Sequence, residues 1–216
     1  MRLRAVNIAV ERGGRRLFSN LSFEVAEGEA LVVLGPNGVG KSSLLRAIAG
    51  LLPLADGAVL GEGGAADLDL AEQAHYVGHA DALKGVLTPR ENLQFWAAML
   101  APLPNPANKG GARLAKAGTT AEEALDRLGL PHVLDLPVNA LSAGQKRRVA
   151  LARVLVAARP LWLLDEPMTA LDEAAQRLFV AVLREHLAAG GLAIAAAHGA
   201  IDLVGARQLR LGEVSP

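Results

Sequence analysis

Five apolar residues, Ala30–Leu34, lie between Glu29 and Gly35 and run straight into Gly35-Pro36-Asn37-Gly38-Val39-Gly40-Lys41-Ser42. A short unbroken apolar run bounded this way suits a strand buried on both faces. Ser42–Ala49 reads as a helix, with Gly50 at its C-terminal stop. A strand that turns through glycines directly into a helix constrains the chain to a layered α/β architecture, in which the helix packs back across its sheet. The turn also has the spacing of a phosphate loop in the expected context, with a strand before it and a helix after it. Its glycines let backbone N–H groups curl around a phosphate chain, and the helix start adds a dipole favourable to anions. Lys41 reaches toward the β and γ phosphates, and the Ser42 hydroxyl is a ligand for Mg²⁺. Gly35 through Ser42, with the adjoining Ser43, form the candidate nucleotide-binding set. A glycine-rich turn without a ligand would not need lysine and serine after its second glycine.

The rest of the chain follows the same alternation. Residues 2–34 read as strands. Leu21, Phe23 and Val25 alternate with Ser22 and Glu24, and Gly13-Gly14 reads as a hairpin turn. The Gly-rich stretch from Leu60 to Ala66 reads ambiguously, and His75–Val77 reads as a short strand. Thr88-Pro89-Arg90-Glu91 is a capping box with proline at the first helical position, which predicts a helix to about Leu100. Prolines and glycines make 101–120 a loop. Thr120–Glu123 opens another helix, to Leu128, and Ala143–Ala158 is a long one. Strand Leu161–Leu164, helix Glu173–Ala188, a Gly190-Gly191 stop and strand Leu192–Ala197 complete the pattern. The reading is one α/β domain over residues 1–216: a mixed, mostly parallel sheet, antiparallel N-terminal strands, and a helical subdomain inserted at about 88–158.

Three further features carry chemistry. Asp165 ends an apolar strand, from which its carboxylate can hold the Mg²⁺ shell, while Glu166 next to it, directed differently, can orient or deprotonate an attacking water. Two adjacent carboxylates repel, and a metal-bound nucleotide resolves that cost. His198 follows strand Leu192–Ala197, which puts it at the sheet edge where ligands of open α/β folds bind and where an imidazole can meet a γ-phosphate. Ser142, in Leu141-Ser142-Ala143-Gly144-Gln145, has two compatible readings. It is a helix N-cap boxed with Gln145, and with Gly144 it forms an anion site at a helix start.

Together the phosphate loop, Leu141–Gln145, Leu163–Pro167, Thr169-Ala170-Leu171-Asp172 and His198 resemble the ATP-binding domain of ABC transporters, over essentially the whole chain. The resemblance implies ATP and Mg²⁺ as cofactors and a head-to-tail homodimer. Each ATP would lie between the phosphate loop of one subunit and Ser142, Ala143, Gly144 and Gln145 of the other, with Asp172 signalling across the interface. A narrower match follows from Ala143 in place of the common glycine, Tyr76-Val77-Gly78-His79, Leu83-Lys84 and Leu87-Thr88-x-x-Glu91-Asn92-Leu93. This set is similar to the haem exporter ATP-binding subunits of bacterial cytochrome c maturation systems. It implies integral membrane permease subunits as partners, release of a haem-loaded chaperone as output, and a peripheral place on the cytoplasmic face of the inner membrane.

Two positions depart from the ABC pattern. The aromatic platform for adenine is missing, and Arg12, whose guanidinium plane can stack on a base, is the nearest substitute. His79 stands at the glutamine-loop position. It either contacts the metal or its water through an unprotonated nitrogen, or shapes the joint between sheet and helical parts. Leu83, Val86, Leu87, Phe95 and Trp96 are candidates for docking a membrane partner, with some of them expected in the core.

Composition agrees. Lys plus Arg balances Asp plus Glu at 22 each, which gives no support for a nucleic-acid binder, and there are no cysteines for disulfides or thiolate metal sites. No apolar run approaches the ~20 residues of a membrane-spanning helix, and no signal-type block follows Met1, so the expected location is the cytosol, with any membrane role coming through a partner. Two other classes share parts of the pattern. A soluble ABC ATPase acting on ribosomes or DNA commonly carries two cassettes or long inserted helices. A small-molecule kinase would not need the signature pentapeptide Leu141–Gln145 or the Asp165-Glu166 pair.

Overall fold

The computed structural model describes residues 1–65, 68–101, 118–197 and 205–212. In chain order its elements are β1 (Arg2–Arg12), β2 (Arg15–Val25), β3 (Ala30–Leu34), α1 (Lys41–Ile48), β4 (Asp56–Glu62), β5 (Ala74–Val77), α2 (Pro89–Leu100), α3 (Ala121–Arg127), α4 (Ala143–Val156), β6 (Leu161–Asp165), α5 (Glu173–Ala188), β7 (Leu192–Ala196) and β8 (Arg207–Arg210). Short 3₁₀ turns cover Leu70–Gln73, Pro131–Val133 and Val138–Ala140. The chain forms two compact units. The first comprises Met1–His79, Arg159–Met168 and Leu183–Pro216, the second Ala80–Ala158 and Thr169–Val182.

The first unit contains a five-stranded sheet of order β5-β6-β7-β3-β8, with every neighbouring pair parallel. Every residue of β6 and β7 is buried. Central parallel strands are covered on both faces, so they appear in sequence as continuous apolar runs. Edge strand β8 is Arg-Gln-Leu-Arg with only Leu209 half-buried, and the polar, largely exposed β4 is equally hard to read from sequence. β4 completes an antiparallel sheet of order β2-β1-β4, in which Arg12 pairs with Arg15 across Gly13-Gly14 as the hairpin reading expects.

Leu3, Ile8, Leu44, Leu45, Leu161, Leu163 and Ile194 are fully buried in one cluster joining α1 to both sheets. Each such side chain contributes about 1.5–3 kcal/mol of transfer free energy. That packing holds the C-terminal ends of β3, β5 and β6 at one edge. Trp162 of β6 stacks on His186 of α5, with ring centroids 3.8 Å apart and planes within 11°. Burial holds the His186 imidazole down to about 4, against the opposing pull of hydrogen bonds to the Leu192 and Pro160 backbone.

The second unit is helical. All three predicted capping boxes form: Thr88 with Glu91, Thr120 with Glu123, and Ser142 with Gln145. Leu93, Leu125, Val149 and Phe179 are buried within it. The buried Arg153 guanidinium of α4 lies 4.6 Å over the ring of Trp96 on α2, a desolvated cation–π contact. Of the 101–120 loop, residues 102–117 lie outside the described residues.

Candidate functional site

The site begins at the end of β3. Gly38 and Gly40 both take positive φ, 78° and 113°, conformations that an L side chain rarely adopts. A Cβ on Gly40 would also come within 3.2 Å of Leu17 and Phe18. The loop therefore coils tightly over the first residues of β2 and opens α1 at Lys41 with no side-chain cap. An uncapped helix start leaves N–H groups directed outward, which is the physical basis of an anion site. Lys41 Nζ donates to the Gly35 and Pro36 carbonyls at 2.6 and 3.1 Å, so the ammonium is held over the loop it would serve.

One residue on, the Ser42 hydroxyl donates to Asp165 Oδ1 at 2.9 Å. Asp165 is 1% exposed at the end of β6. A buried carboxylate is costly unless hydrogen-bonded or close to a cation. Here a hydroxyl and a carboxylate stand side by side, which are the hard oxygen donors Mg²⁺ prefers. These donors, with the glycine-lined loop and the held lysine, fit a Mg²⁺–nucleotide.

Glu166 follows with φ 49°, the left-handed region that non-glycine residues avoid. Such backbone costs on the order of 1–3 kcal/mol and persists where surrounding contacts enforce it. Here the Glu166 N–H donates to the Ala196 carbonyl of β7 at 3.0 Å. The turn sends the two adjacent carboxylates into different surroundings, Asp165 inward and Glu166 half-buried. His79, at the end of the segment after β5, brings Nδ1 to 4.0 Å from Glu166 Oε2 while its side chain remains 72% exposed. Among the described residues no cluster of three His, Cys, Asp or Glu side chains forms a metal centre by itself. His198 lies outside the described residues. Arg12 is exposed at the tip of the β1–β2 hairpin.

Two residues to which the sequence assigned no site role, Arg46 and the motif residue Tyr76, join the site. The Tyr76 hydroxyl lies 3.4 Å from Asp165 Oδ2, and Arg46 Nε donates to the same hydroxyl at 3.1 Å. Burial raises the Tyr76 phenol above its ordinary value, so it stays protonated and can donate. The signal for Arg46 was present, since it sits one helical turn beyond Ser42. The signal for Tyr76 was not, because it depends on the pairing of β5 with β6.

In the second unit, Ser142 and Gln145 close on each other. Ser142 Oγ accepts from the Gln145 N–H at 3.2 Å, and Gln145 Oε1 accepts from the Ser142 N–H at 2.8 Å. Ala143 is exposed at the first helical position. A Cβ on Gly144, by contrast, would meet the Ala170 carbonyl at 2.9 Å. Close backbone approach leaves no room for a side chain at position 144, whereas exposed position 143 has room for its alanine. Asp172 caps α5, its Oδ1 accepting from the Ala175 N–H at 2.8 Å.

The docking candidates separate by burial. Val86 and Phe95 are exposed, at 79% and 51%, as is Met99, while Leu83, Leu87 and Trp96 are half-buried.

The family model described as ABC transporter matches residues 18–169. A cytochrome c biogenesis ATP-binding export protein CcmA of Bradyrhizobium diazoefficiens is 50% identical over 215 residues, spanning 100% of both chains. The protein of the same name from Paramagnetospirillum magneticum is 48% identical, covering 97% of this chain and 93% of its own. Among solved structures, the dimeric ATP-binding cassette MJ0796, in a post-hydrolysis state with ADP and Pi, superposes with a TM-score of 0.78 at 25% identity, covering 97% of this chain and 94% of that one. A putative ABC transporter ATP-binding protein of Pyrococcus furiosus gives 0.79 at 19% identity over 100% of both chains, a likeness of fold.

Proposed function

Because the chain belongs to the ABC transporter family, alongside the cytochrome c biogenesis ATP-binding export proteins, we propose that it powers a haem-export complex of cytochrome c maturation. It is an ATP-binding and ATP-hydrolysing subunit. In this reading two copies pair head to tail under integral membrane permease subunits, on the cytoplasmic face of a bacterial inner membrane. Attachment in this reading runs through the partner; among the described residues no helix is long and apolar enough to cross a membrane. Exposed Val86 and Phe95 are the contact points assigned to that partner.

The observation that carries the reading is the 2.9 Å bond from Ser42 to Asp165, with Glu166 directly after it. Gly35, Pro36, Asn37, Gly38, Val39, Gly40, Lys41, Ser42 and Ser43 wrap the triphosphate. Ser42 and Asp165 hold Mg²⁺, which when bound neutralises phosphate charge. Glu166 takes the proton from the attacking water as its oxygen bonds to the γ-phosphorus and the bond to ADP breaks, leaving ADP and inorganic phosphate. His79 steers that water beside the carboxylate, and His198 contacts the γ-phosphate. Arg12 stacks on adenine. Ser142, Ala143, Gly144 and Gln145 of the second copy close over the nucleotide, and Asp172 links the two copies.

The test is a Glu166→Gln chain expressed in its host, trapped with ATP and purified in detergent, followed by identification of the integral membrane proteins recovered with it. Permease subunits of cytochrome c maturation are expected. Recovery of an unrelated permease would overturn the haem assignment and leave the ATPase intact. A Val86→Glu chain should lose the membrane proteins while still binding ATP.

A further inference from the structure

Ser42 and Arg46 lie one turn apart on α1, and Tyr76 and Asp165 lie on the neighbouring parallel strands β5 and β6. Tyr76 is registered opposite Leu163, and Asp165, two residues further along, projects from the same face of the sheet. Three hydrogen bonds link the four side chains in series through the buried carboxylate. Ser42 Oγ donates to Oδ1 at 2.9 Å, the Tyr76 hydroxyl faces Oδ2 at 3.4 Å, and Arg46 Nε donates to that hydroxyl at 3.1 Å. Gly78 backs the ring of Tyr76, since a Cβ there would stand 3.2 Å from it.

The direction of each bond follows from the groups involved. Arginine only donates, so the Tyr76 oxygen accepts from Arg46 and its single proton is left for Asp165. One carboxylate oxygen is thus tied to the helix that carries the metal-binding serine, and the other to the strand that leads to His79. A carboxylate held at both oxygens cannot rotate about its Cβ–Cγ bond. We propose that Tyr76, oriented by Arg46, is a positioning residue that fixes Asp165 for the divalent cation. The proposal rests on the reading of Asp165 as a cation ligand. Tyr76 touches neither nucleotide nor metal in this role, and outer partners of this kind tune affinity for the ion rather than creating the site.

Tyr76→Phe removes one oxygen and keeps the ring against Gly78. The measurement is ATP affinity by titration calorimetry on the full chain, with Mg²⁺ and with EDTA, together with Mn²⁺ affinity in the presence of ATP by electron paramagnetic resonance. Tyr76→Phe should weaken Mn²⁺ binding and Mg²⁺-dependent ATP binding about three- to tenfold and leave metal-free ATP binding unchanged. Arg46→Met, which frees the hydroxyl without removing it, should weaken both in the same sense and by less. Asp165→Asn separates the two levels. If it abolishes the metal dependence while Tyr76→Phe with an unchanged melting temperature leaves it intact, the positioning role is wrong. If Asp165→Asn keeps full metal dependence, the cation reading of Asp165 fails and Tyr76 falls with it.

Discussion

At the C-terminal edge of the parallel sheet Ser42 meets Asp165 across 123 residues of chain, whereas at the start of α4 Ser142 and Gln145 satisfy each other within one turn. The first arrangement centres on a buried carboxylate and exists only because β3, β6 and α1 share a core. The second is exposed and would form in any helix that began with the same four residues. A tertiary site holds donors at fixed separations in low dielectric, which suits charge chemistry. A local one presents a helix start with its polar side chains already oriented, which suits meeting a surface supplied from elsewhere.

The comparison can be broken most sharply at Glu166. Glu166→Gln keeps the shape of the strained turn but removes the carboxylate proposed as proton acceptor, so phosphate release should fall by about 100-fold or more with nucleotide binding preserved. Turnover within a few-fold of the parent would remove Glu166 from the chemistry.

Acid separates the two regions next. The unfolded His186 takes up a proton near its ordinary value of 6.5, whereas burial delays uptake in the folded protein to about 4. Between these values the unfolded state binds more protons. Stability under the sheet is therefore full above about 6.5 and is lost as pH falls toward 4, by on the order of 3 kcal/mol. Amide protection factors in β6 and β7, with the intrinsic pH dependence of exchange divided out, should fall across that window, and His186→Phe should remove the fall.

Gly144→Ala sharpens the contrast within the signature itself. The added methyl meets the Ala170 carbonyl and should cost about 1–3 kcal/mol in denaturant unfolding, whereas Ala143→Gly should cost no more than about 1 kcal/mol. Equal effects would mean that close approach does not explain the two positions. The smallest change is Ser142→Ala, which loses one cap and should destabilise α4 by about 1 kcal/mol, read from its amide exchange.

Legibility follows the same division. Thr88, Thr120 and Ser142 each announced a helix start, and each capping box is in place, because the partners lie three residues apart and need no tertiary contact. Central strands β3, β6 and β7 were legible from apolar runs, to within a residue at their ends. Strands β4 and β8 were not, since an exposed edge strand needs no apolar pattern and is held by the ladder of its neighbour. Arg46 had no role in the sequence pattern and Tyr76 only a place in the family motif, for a related reason. Arginine on a helix face and tyrosine in a strand are ordinary, and only the pairing of β5 with β6 brings them together beside Asp165.

By itself, then, the sequence determined what acts through short spacing: the phosphate loop with its strand and helix, the capped signature, the order of motifs and the family they resemble. The tertiary structure decided which groups meet. It placed Ser42 against Asp165, turned Glu166 away from it, brought His79 to within 4.0 Å of Glu166, and set Gly144 under a backbone carbonyl. Spacing along a helix or turn is a property of neighbouring residues, whereas the separation of two side chains over a hundred residues apart is set by the packing of everything between them.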